Sequence, residues 1–443
     1  MDNDTIVAVA TANGIGSIAI IRLSGDQALP ILKKLSRKEN ITPRYAHLTN
    51  IYDKSDELID ETIVIYFKNP HSFTGEDVVE IQCHGGYIVA QSILQSCLDA
   101  GARLANAGEF SKRAFFNGRI DLSEAEAISQ LIEAKSEDAA KILAKQVKGS
   151  LKEFIEEVRD EIIHILAYSE VSIDYAEEDL PEDLIEQIKV KLYTLNKKLD
   201  RTLQASKSRS GLMQGFRVAI VGKPNVGKSS LLNGLLNYNR AIVSDIAGTT
   251  RDTIEEQVKI GTHLIRIVDT AGIREASDEI EKIGIERSLE AIEQSDIVVS
   301  LFDNSRELDD EDRQIIKLLN ETQKEQILIK NKIDLEKKLE VDLSFDIELN
   351  SKDDVSPLIE KLKNIMDQTN SSEELMLISQ RQISAVEETI TNIEEAFTPL
   401  EDQELEIFSF HLNEAVKAMA GITRPFENDE MLDKMFGSFC LGK

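Results

Sequence analysis

The sequence predicts a multidomain protein: an α+β N-terminal domain, an all-α helical domain, and an α/β domain with a mostly parallel sheet that is inserted into the helical one. Three observations predict this. The chain has 443 residues, more than one hydrophobic core usually supports. Its pattern changes from short β-branched runs to long helical periodicity and then to alternating strands and helices. Helical periodicity returns afterwards, so the alternating segment interrupts the helical one.

Residues 1–118 form the predicted α+β domain. Short runs rich in β-branched residues, each bounded by glycine or polar turns, are typical of strands. A helix is expected at Ala90–Ala100. The expected strands are Thr5–Ala10, Ser17–Leu23, Thr62–Phe67 and Val78–Cys83.

Residues 119–214 and 368–443 form the predicted helical domain, which is discontinuous in sequence. Apolar residues recur there with the spacing of one helix face, and glycine and proline are scarce. The expected helices are Leu122–Lys148, Leu151–Ser172, Pro181–Thr202, Leu377–Ala396 and Leu405–Met419.

Residues 215–367 form the predicted α/β insertion. Apolar strands alternate with helical segments, and this alternation is typical of a parallel sheet with crossover helices. A helix is expected at Ser230–Leu236. The expected strands are Arg217–Gly222, Leu264–Asp269, Ile297–Asp303 and Gln326–Lys330.

The chain is strongly acidic, with 51 Lys and Arg against 80 Asp and Glu and a formal net charge of −29. Such a field repels phosphate backbones, so nucleic acid needs a local basic patch or a basic partner; solubility alone is the alternative reason for the charge. Cys83, Cys97 and Cys440 lack metal-like spacing, and neither a signal peptide nor a membrane-spanning run is present. We expect a cytoplasmic protein with no membrane contact.

Residues Gly222–Ser229 have the sequence GKPNVGKS, which fits G-x-x-x-x-G-K-[ST] between a predicted strand and a predicted helix. The glycines let backbone N–H groups surround phosphates, and the helix N-terminus favours negative charge. Lys228 is expected at the β- and γ-phosphates, and Ser229 is expected to bind Mg²⁺. The pattern predicts a P-loop that binds a nucleoside triphosphate.

Three more motifs follow in order. Gly248–Asp252 lies in a predicted loop, where Thr250 can supply a second hydroxyl to Mg²⁺, and Asp269–Gly272 ends a predicted strand. Asn331–Asp334 has the pattern N-K-x-D and resembles the guanine-binding motif of GTPases. Asp334 would accept two N–H bonds that guanine offers and adenine does not. The series predicts a GTPase rather than an ATPase.

Two residues distinguish this site from that of Ras-like proteins. Ile273 occupies the position of their water-orienting Gln, and an apolar side chain cannot orient water. Glu281 is a candidate for that task, with a solvated surface carboxylate as the alternative. Asn225 is typical of GTPases that bind K⁺ beside the β–γ bridge, and Arg251 and Arg274 are the alternative cations.

Outside these motifs, further segments resemble one family along nearly the whole chain. They are Ser72–Glu80, Cys83–Gly86, Gly108–Phe115, Asn117–Leu122, Glu124–Ala127 and the ending Phe439–Lys443, which contains C-x-G-K. Together with the P-loop motifs, they resemble the tRNA-modifying GTPases of the MnmE (TrmE) family.

The resemblance implies that GTP hydrolysis controls the addition of an aminomethyl or carboxymethylaminomethyl group to C5 of the wobble uridine in tRNA. It implies a homodimer that joins the flavoprotein MnmG (GidA) in a heterotetramer, with tRNA held mainly by that partner. It also implies a tetrahydrofolate derivative, 5-formyl or 5,10-methylene, as the one-carbon carrier. The folate contacts would be Arg22, Glu80, Arg119 and Lys443.

The same resemblance implies the ligands of K⁺, Mg²⁺ and GTP. The K⁺ ligands would be Asn225, Ser244, the Ile246 carbonyl and Thr249, and the Mg²⁺ ligands Ser229 and Thr250. The GTP-binding set would be Asn225, Val226, Gly227, Lys228, Ser229, Ser230, Ser244, Asp245, Ile246, Ala247, Gly248, Thr249, Thr250, Asp269, Thr270, Ala271, Gly272, Asn331, Lys332, Asp334, Asn350, Ser351 and Lys352.

Catalytic roles would fall to Lys228, to Glu281 acting through water, and to Cys440 as nucleophile or base. A small packing residue is the alternative for Cys440. Two other functions stay open for the chain: a regulatory GTPase of ribosome assembly, and a folate-responsive binding module whose GTPase is a timer. A regulatory GTPase of ribosome assembly needs neither the first domain nor the C-x-G-K ending.

Overall fold

The computed structural model describes most of the chain, and the following statements concern those residues only. They are 4–12, 14, 16–174, 182–208, 210–239, 256–268, 289–341, 343–369, 375–424, 432, 435–437, 439 and 442. The chain divides into two compact units. The first comprises Met1–Gln130, Gln146–Leu192 and Glu388–Lys443, and the second comprises Leu131–Lys145 and Tyr193–Glu387.

The first unit contains a six-stranded sheet in the order β3-β4-β5-β2-β1-β6. The β1–β6 pair is parallel and the other pairs are antiparallel. Helices α1 (Ala28–Ser36) and α2 (Tyr87–Asp99) cover one face and form a core with it. The strands are β1 Ile6–Val9, β2 Ile18–Ser24, β3 His47–Tyr52, β4 Leu58–Phe67, β5 Val78–His84 and β6 Arg103–Leu104.

The helical segments begin with α3 (Glu109–Phe116) and continue to Thr423 with the inserted sheet between them. Leu122 and Ala125 pack against Phe436 and Phe439 near the end of the chain. No helix within the described ranges is long and apolar enough to cross a membrane. The other helices are α4 Leu122–Glu133, α5 Glu137–Val147, α6 Ser150–Asp174, α7 Glu182–Ser208, α8 Ser210–Gln214, α12 Gln380–Glu401 and α13 Leu405–Thr423.

The second unit contains a sheet in the order β12-β11-β10-β7-β9-β8, parallel except for the β8–β9 hairpin. Its helices are α9 (Lys228–Asn239), α10 (Asp310–Glu321) and α11 (Ser356–Thr369). The helices α9 and α11 contribute to the core on one face, and α10 contributes to the core on the other. The strands are β7 Phe216–Val221, β8 Glu256–Ile260, β9 His263–Val268, β10 Ile297–Asp303, β11 Glu325–Asn331 and β12 Ile347–Leu349.

The predicted fold class is confirmed. The structure adds elements that were not predicted, among them α1 and β3, and it shifts some of the predicted boundaries. The helix expected at Leu122–Lys148 is two helices, because the Ser136 hydroxyl accepts a hydrogen bond from the Ala139 N–H at 3.1 Å and starts a new helix. Strand β4 begins four residues before the predicted Thr62. Its polar first half includes Asp60, which accepts hydrogen bonds from the His84 N–H and ring.

A buried arginine joins three carboxylates in the first unit. The side chain of Arg113 is 9% exposed, and its guanidinium contacts Asp4 at 2.7 Å, Glu109 at 3.1 Å and Glu76 at 3.2 Å. Arg103 also pairs with Asp4 and Glu109. The network gives a structural reason for the arginine and the glutamate in the segment Gly108–Phe115.

We expect Arg113→Met to lower the free energy of unfolding by about 2–4 kcal/mol, because three partly buried carboxylates lose their shared cation. Urea unfolding followed by circular dichroism measures this change. Lys34→Met, at an exposed position on α1, is the control and should change stability by less than about 0.5 kcal/mol. Equal stabilities of the two variants would contradict the role of Arg113.

The network also predicts sensitivity to acid. Hydrogen bonding by Arg103 lowers the pKa of Asp4. Burial raises the pKa of Glu109, but hydrogen bonds from Arg103, the Asn106 N–H and Arg113 outweigh burial and bring that pKa below its ordinary value. Both carboxyls therefore stabilise the folded state fully above their ordinary pKa values of 3.8 and 4.5, and this stabilisation is lost as the pH falls through their lower folded-state values. The difference in the free energy of unfolding between the native protein and Arg113→Met should become smaller below about pH 4. An unfolding free-energy difference that stays constant from neutral pH to well below the ordinary pKa values of 3.8 and 4.5 would contradict this.

Candidate nucleotide-binding site

The parallel strands bring the predicted motifs to one edge of the second sheet. In the β10–β11 register, Asp303 lies opposite Asn331, which in turn lies opposite Leu349 of β12. Strand β7 pairs with β10 in the same direction and ends at Val221, directly before the P-loop. Strands β8 and β9 lie on one side of β7, and β10, β11 and β12 lie on the other. Sheets of this kind bind ligands where successive strands change sides in this way.

The P-loop has a backbone that ordinary residues rarely adopt. Gly222 has φ 149°, Gly227 has φ 111°, and Asn225 has φ 64°. The ammonium of Lys228 donates hydrogen bonds to the carbonyls of Gly222 at 2.5 Å and Lys223 at 2.9 Å. These contacts hold the Lys228 ammonium against the first residues of the loop, where phosphate oxygens would also bind.

The carboxamide of Asn331 joins the P-loop to both loops that follow β11 and β12. It is fully buried and donates to the Val226 carbonyl at 2.6 Å and to the Ser351 hydroxyl at 3.0 Å. Its oxygen accepts from the Ser351 N–H at 2.9 Å. One side chain therefore fixes the spacing of three loops: Val226 of the P-loop lies 105 residues from Asn331 in sequence, and Ser351 lies 20 residues from it.

This junction explains why position 227 requires glycine. A Cβ atom there would lie 2.1 Å from the Asn331 amide nitrogen and 3.0 Å from the Ser351 hydroxyl. No real Cβ tolerates the first distance, and the positive φ adds strain for any other residue. The second glycine of the P-loop thus provides space as well as backbone freedom.

Lys332 also connects the loop that follows β11 to the P-loop. Its ammonium donates to the Asn225 carbonyl at 2.7 Å and to the Asp303 carboxylate at 2.6 Å. Burial raises the pKa of Asp303, but the hydrogen bonds from Lys332 and Ser305 outweigh it and hold that pKa below its ordinary value. The Asp303 carboxylate is therefore a stable anchor for Lys332 at neutral pH.

The remaining described residues of the predicted GTP set line the solvent side of this edge. Asn225, Ser229, Asp334 and Lys352 are exposed, and Ser230 is half-buried at the start of α9. The Asn350 side chain accepts from the Lys352 N–H and donates to Asp353, so it shapes its own turn. Asp334, the predicted guanine acceptor, thus faces water.

The predicted folate residues fall into two places in the first unit. Arg22 and Glu80 are opposite each other on β2 and β5 and form an ion pair at 2.8 Å. Arg22 also donates to the Gly442 carbonyl at 3.2 Å, which brings the C-x-G-K ending to this pair. Arg119 instead donates to the Ser72 carbonyl at 3.1 Å, beside Gly75.

The residues of the segment Cys83–Gly86 lie in different environments: Cys83 is buried and His84 is exposed. Burial raises the pKa of the Cys83 thiol to about 11, so this cysteine is a packing residue rather than a thiolate. The exposed His84 ring contacts Asp60 at 2.7 Å. Gly85 lies so close to Gly16 that a Cβ atom would meet the Gly16 carbonyl oxygen at 2.3 Å.

Several predicted site residues lie outside the described part of the chain, so their positions stay predictions. Among the described residues, no group of three or more His, Cys, Asp or Glu could hold a metal ion. The predicted residues outside it are Ser244, Asp245, Ile246, Ala247, Gly248, Thr249, Thr250, Asp269, Thr270, Ala271, Gly272, Glu281, Cys440 and Lys443.

Two family models match the chain. The model described as the N-terminus of the GTP-binding protein TrmE matches residues 5–119. The model described as the MnmE helical domain matches residues 122–440. The two matches together cover nearly the whole chain.

Curated relatives are similar over their full length. The tRNA modification GTPase MnmE of Sulfurimonas denitrificans is 74% identical, covering 100% of both chains. The proteins of the same name from Aliarcobacter butzleri and from a Nitratiruptor species are 58% and 60% identical and cover at least 99% of each chain. A crystal structure of Era with MgGDPNP and part of 16S ribosomal RNA matches 40% of this chain and 66% of that chain at 25% identity, but its TM-score of 0.26 supports no inference.

Asn331→Ala should weaken GDP binding at least about tenfold, because the Val226 carbonyl and both Ser351 groups lose their partner. Ser351→Ala should weaken it less, about threefold, since the backbone N–H of residue 351 keeps its bond to Asn331. Isothermal titration with GDP measures both. Asn320→Ala, at an exposed position on α10, is the control. Wild-type affinity in Asn331→Ala would contradict the junction.

Proposed function

Since this chain belongs to the MnmE family of tRNA modification GTPases, we propose that it hydrolyses GTP to control modification of the tRNA wobble uridine at C5. The product would carry an aminomethyl or carboxymethylaminomethyl group. The full-length similarity to curated MnmE proteins supports the tRNA substrate. The proposed reaction places the protein in the cytoplasm.

The observation that carries the GTPase half of this proposal is the Asn331 junction. It holds the P-loop beside the loops that follow β11 and β12. A phosphate-binding loop and a base-binding loop fixed at this spacing suit one guanine nucleotide across the sheet edge. The Asp334 carboxylate would discriminate guanine from adenine by accepting hydrogen bonds from two N–H groups that guanine has and adenine lacks.

The chain's own residues would handle the triphosphate as follows. Lys228 would donate to β- and γ-phosphate oxygens while the Gly222 and Lys223 carbonyls keep its ammonium at the loop, and the N–H groups of the P-loop and of α9 would surround the β-phosphate. The exposed hydroxyl position of Ser229, with Thr250, fits Mg²⁺, which neutralises phosphate charge when bound. Glu281 would orient the attacking water.

We further propose that K⁺ binds through Asn225, with Ser244, the Ile246 carbonyl and Thr249. The Asn225 residue is exposed, and its backbone carbonyl already accepts a hydrogen bond from Lys332, so we propose its side-chain oxygen as the ligand. K⁺ supplies positive charge beside the β–γ bridge, which stabilises charge that develops there. The ion would take the place of an arginine finger.

A tetrahydrofolate derivative would bind at Arg22 and Glu80 of the first domain, residues 1–118, together with Arg119 and Lys443 of the helical domain. The Arg22–Glu80 pair and its contact with Gly442 support a site that uses both ends of the chain. Cys440 belongs to the same ending and is our candidate nucleophile or base. The helical domain would be 119–214 with 368–443, and the GTPase domain 215–367.

We also propose a homodimer that binds the flavoprotein MnmG in a heterotetramer. Ile18, Leu48 and Ile63 lie on the sheet face opposite α1 and α2 and keep 60%, 61% and 41% of their surface exposed, which suits contact with a second copy. The net charge of −29 makes the chain alone a poor ligand for tRNA, so the flavoprotein would supply most of the basic surface.

Modified uridine in tRNA tests the proposal directly. A strain lacking this gene should contain unmodified C5 at the wobble uridine by mass spectrometry of tRNA nucleosides. The wild-type gene should restore the modification, whereas Asp334→Asn should not restore it, because guanine loses its acceptor. Full modification in the deletion strain would reject the proposal in favour of a regulatory GTPase.

Exchange of K⁺ for Na⁺ tests the cation. GTP turnover of the full chain should fall at least about tenfold in Na⁺ at equal ionic strength, because ligands spaced for K⁺ would hold the smaller ion less well beside the β–γ bridge. Asn225→Ala should be slow in both salts, whereas the control Asn237→Ala, at an exposed position on α9, should keep the K⁺ dependence. Equal rates of the native protein in both salts would remove K⁺ from the mechanism.

A further inference from the structure

Lys223 occupies a variable position of the P-loop pattern, yet its side chain is buried. Only 4% of that side chain is exposed. Its ammonium contacts the Asp309 carboxylate at 2.5 Å and the Asp312 carboxylate at 2.6 Å. A lysine is seldom buried unless paired, so these two carboxylates explain its position.

Both aspartates are themselves held in place at the start of α10. The Asp309 side chain accepts a hydrogen bond from the Asp312 N–H at 3.2 Å, and the Asp312 side chain accepts one from the Asp309 N–H at 3.3 Å. This reciprocal capping box fixes both carboxylates relative to the helix. The helix therefore offers Lys223 a rigid anchor rather than a pair of mobile surface acids.

The backbone of Lys223 connects this anchor to the phosphate-binding lysine. Its carbonyl accepts a hydrogen bond from the Lys228 ammonium at 2.9 Å, next to the Gly222 carbonyl that accepts another. Movement of the Lys223 side chain out of its carboxylate site would displace the carbonyls that hold Lys228. The anchor thus acts on the phosphate site through one residue.

Charge gives the anchor a second effect. Without the Lys223 ammonium, two carboxylates would stand uncompensated beside the loop that receives phosphates. Asp312 is 4% exposed, so solvent would screen its charge poorly. The same lysine therefore shapes the loop and shields it from negative charge.

We propose that Lys223, anchored by Asp309 and Asp312, is a positioning residue that sets the affinity of the P-loop for the phosphates of GTP and GDP. The inference rests on the proposed GTPase function and extends it to a lysine that the motif leaves unspecified. It acts through Lys228 and the loop backbone, and does not require Lys223 to touch the nucleotide.

Four variants of the full chain test the inference: Lys223→Met, Lys223→Arg, Asp312→Asn, and the double variant Lys223→Met/Asp312→Asn. The GDP dissociation constant and the KM and kcat for GTP are measured for each. We expect Lys223→Met to raise the dissociation constant and KM about tenfold or more while kcat at saturating GTP changes by less than about threefold. Lys223→Arg should restore most of the affinity, since it keeps the charge.

The double variant separates positioning from general stability. Asn at 312 can still accept the Asp309 N–H bond, so it removes the buried charge and keeps the helix cap. Adding Asp312→Asn to Lys223→Met should therefore recover about threefold or more of the lost affinity. Lys317→Met, whose side chain is 76% exposed on the same helix, is the matched control and should bind like the native protein.

Native-like GDP affinity in Lys223→Met would overturn the inference, as would a double variant no better than Lys223→Met. If Lys223→Met does not fold, Asp312→Asn decides the result, because it removes one of the two carboxylates that hold Lys223. GDP affinity equal to that of the native protein in Asp312→Asn would then overturn the inference. Absence of GTP hydrolysis by the native protein in K⁺ and Mg²⁺ would instead reject the proposed function. The two failures are therefore distinguishable.

Discussion

The nucleotide-binding site depends on the hydrogen bonds of the buried Asn331 carboxamide. The carboxamide bonds to the Val226 carbonyl and to both the hydroxyl and N–H of Ser351, so three loops share one buried group. Because a buried amide without hydrogen-bond partners is costly, these bonds hold the three loops in place relative to one another. The close approach also fixes glycine at 227. The P-loop is thus shaped by residues far away in sequence as well as by its own pattern.

Buried or half-buried cations organise the acidic chain in both compact units. Arg113 joins three carboxylates in the first unit, and Lys223 joins two in the second. Lys332 pairs with the buried Asp303 near the nucleotide loops. In a chain with a net charge of −29, these positions keep local carboxylates compensated where the fold packs them together. The surplus of negative charge therefore does not prevent a phosphate site.

Local patterns in the sequence predicted the fold class and the order of elements because period and turn residues act over short distances. The strand ending at Val221 and the helix beginning at Lys228 confirm the context required for the P-loop. The partners of Lys223 lie 86 and 89 residues away, and no local pattern indicates them. The helix break before Glu137 was likewise missed, since it depends on the Ser136 cap rather than on apolar spacing.

We propose that the Asn331 junction shapes one guanine-nucleotide site at the sheet edge. Equilibrium binding of fluorescent GDP and ADP analogues to the full chain tests this site. We expect GDP to bind at least about a thousandfold more tightly than ADP, because adenine would leave the Asp334 carboxylate without its N–H donors. Comparable affinities for the two nucleotides would contradict it.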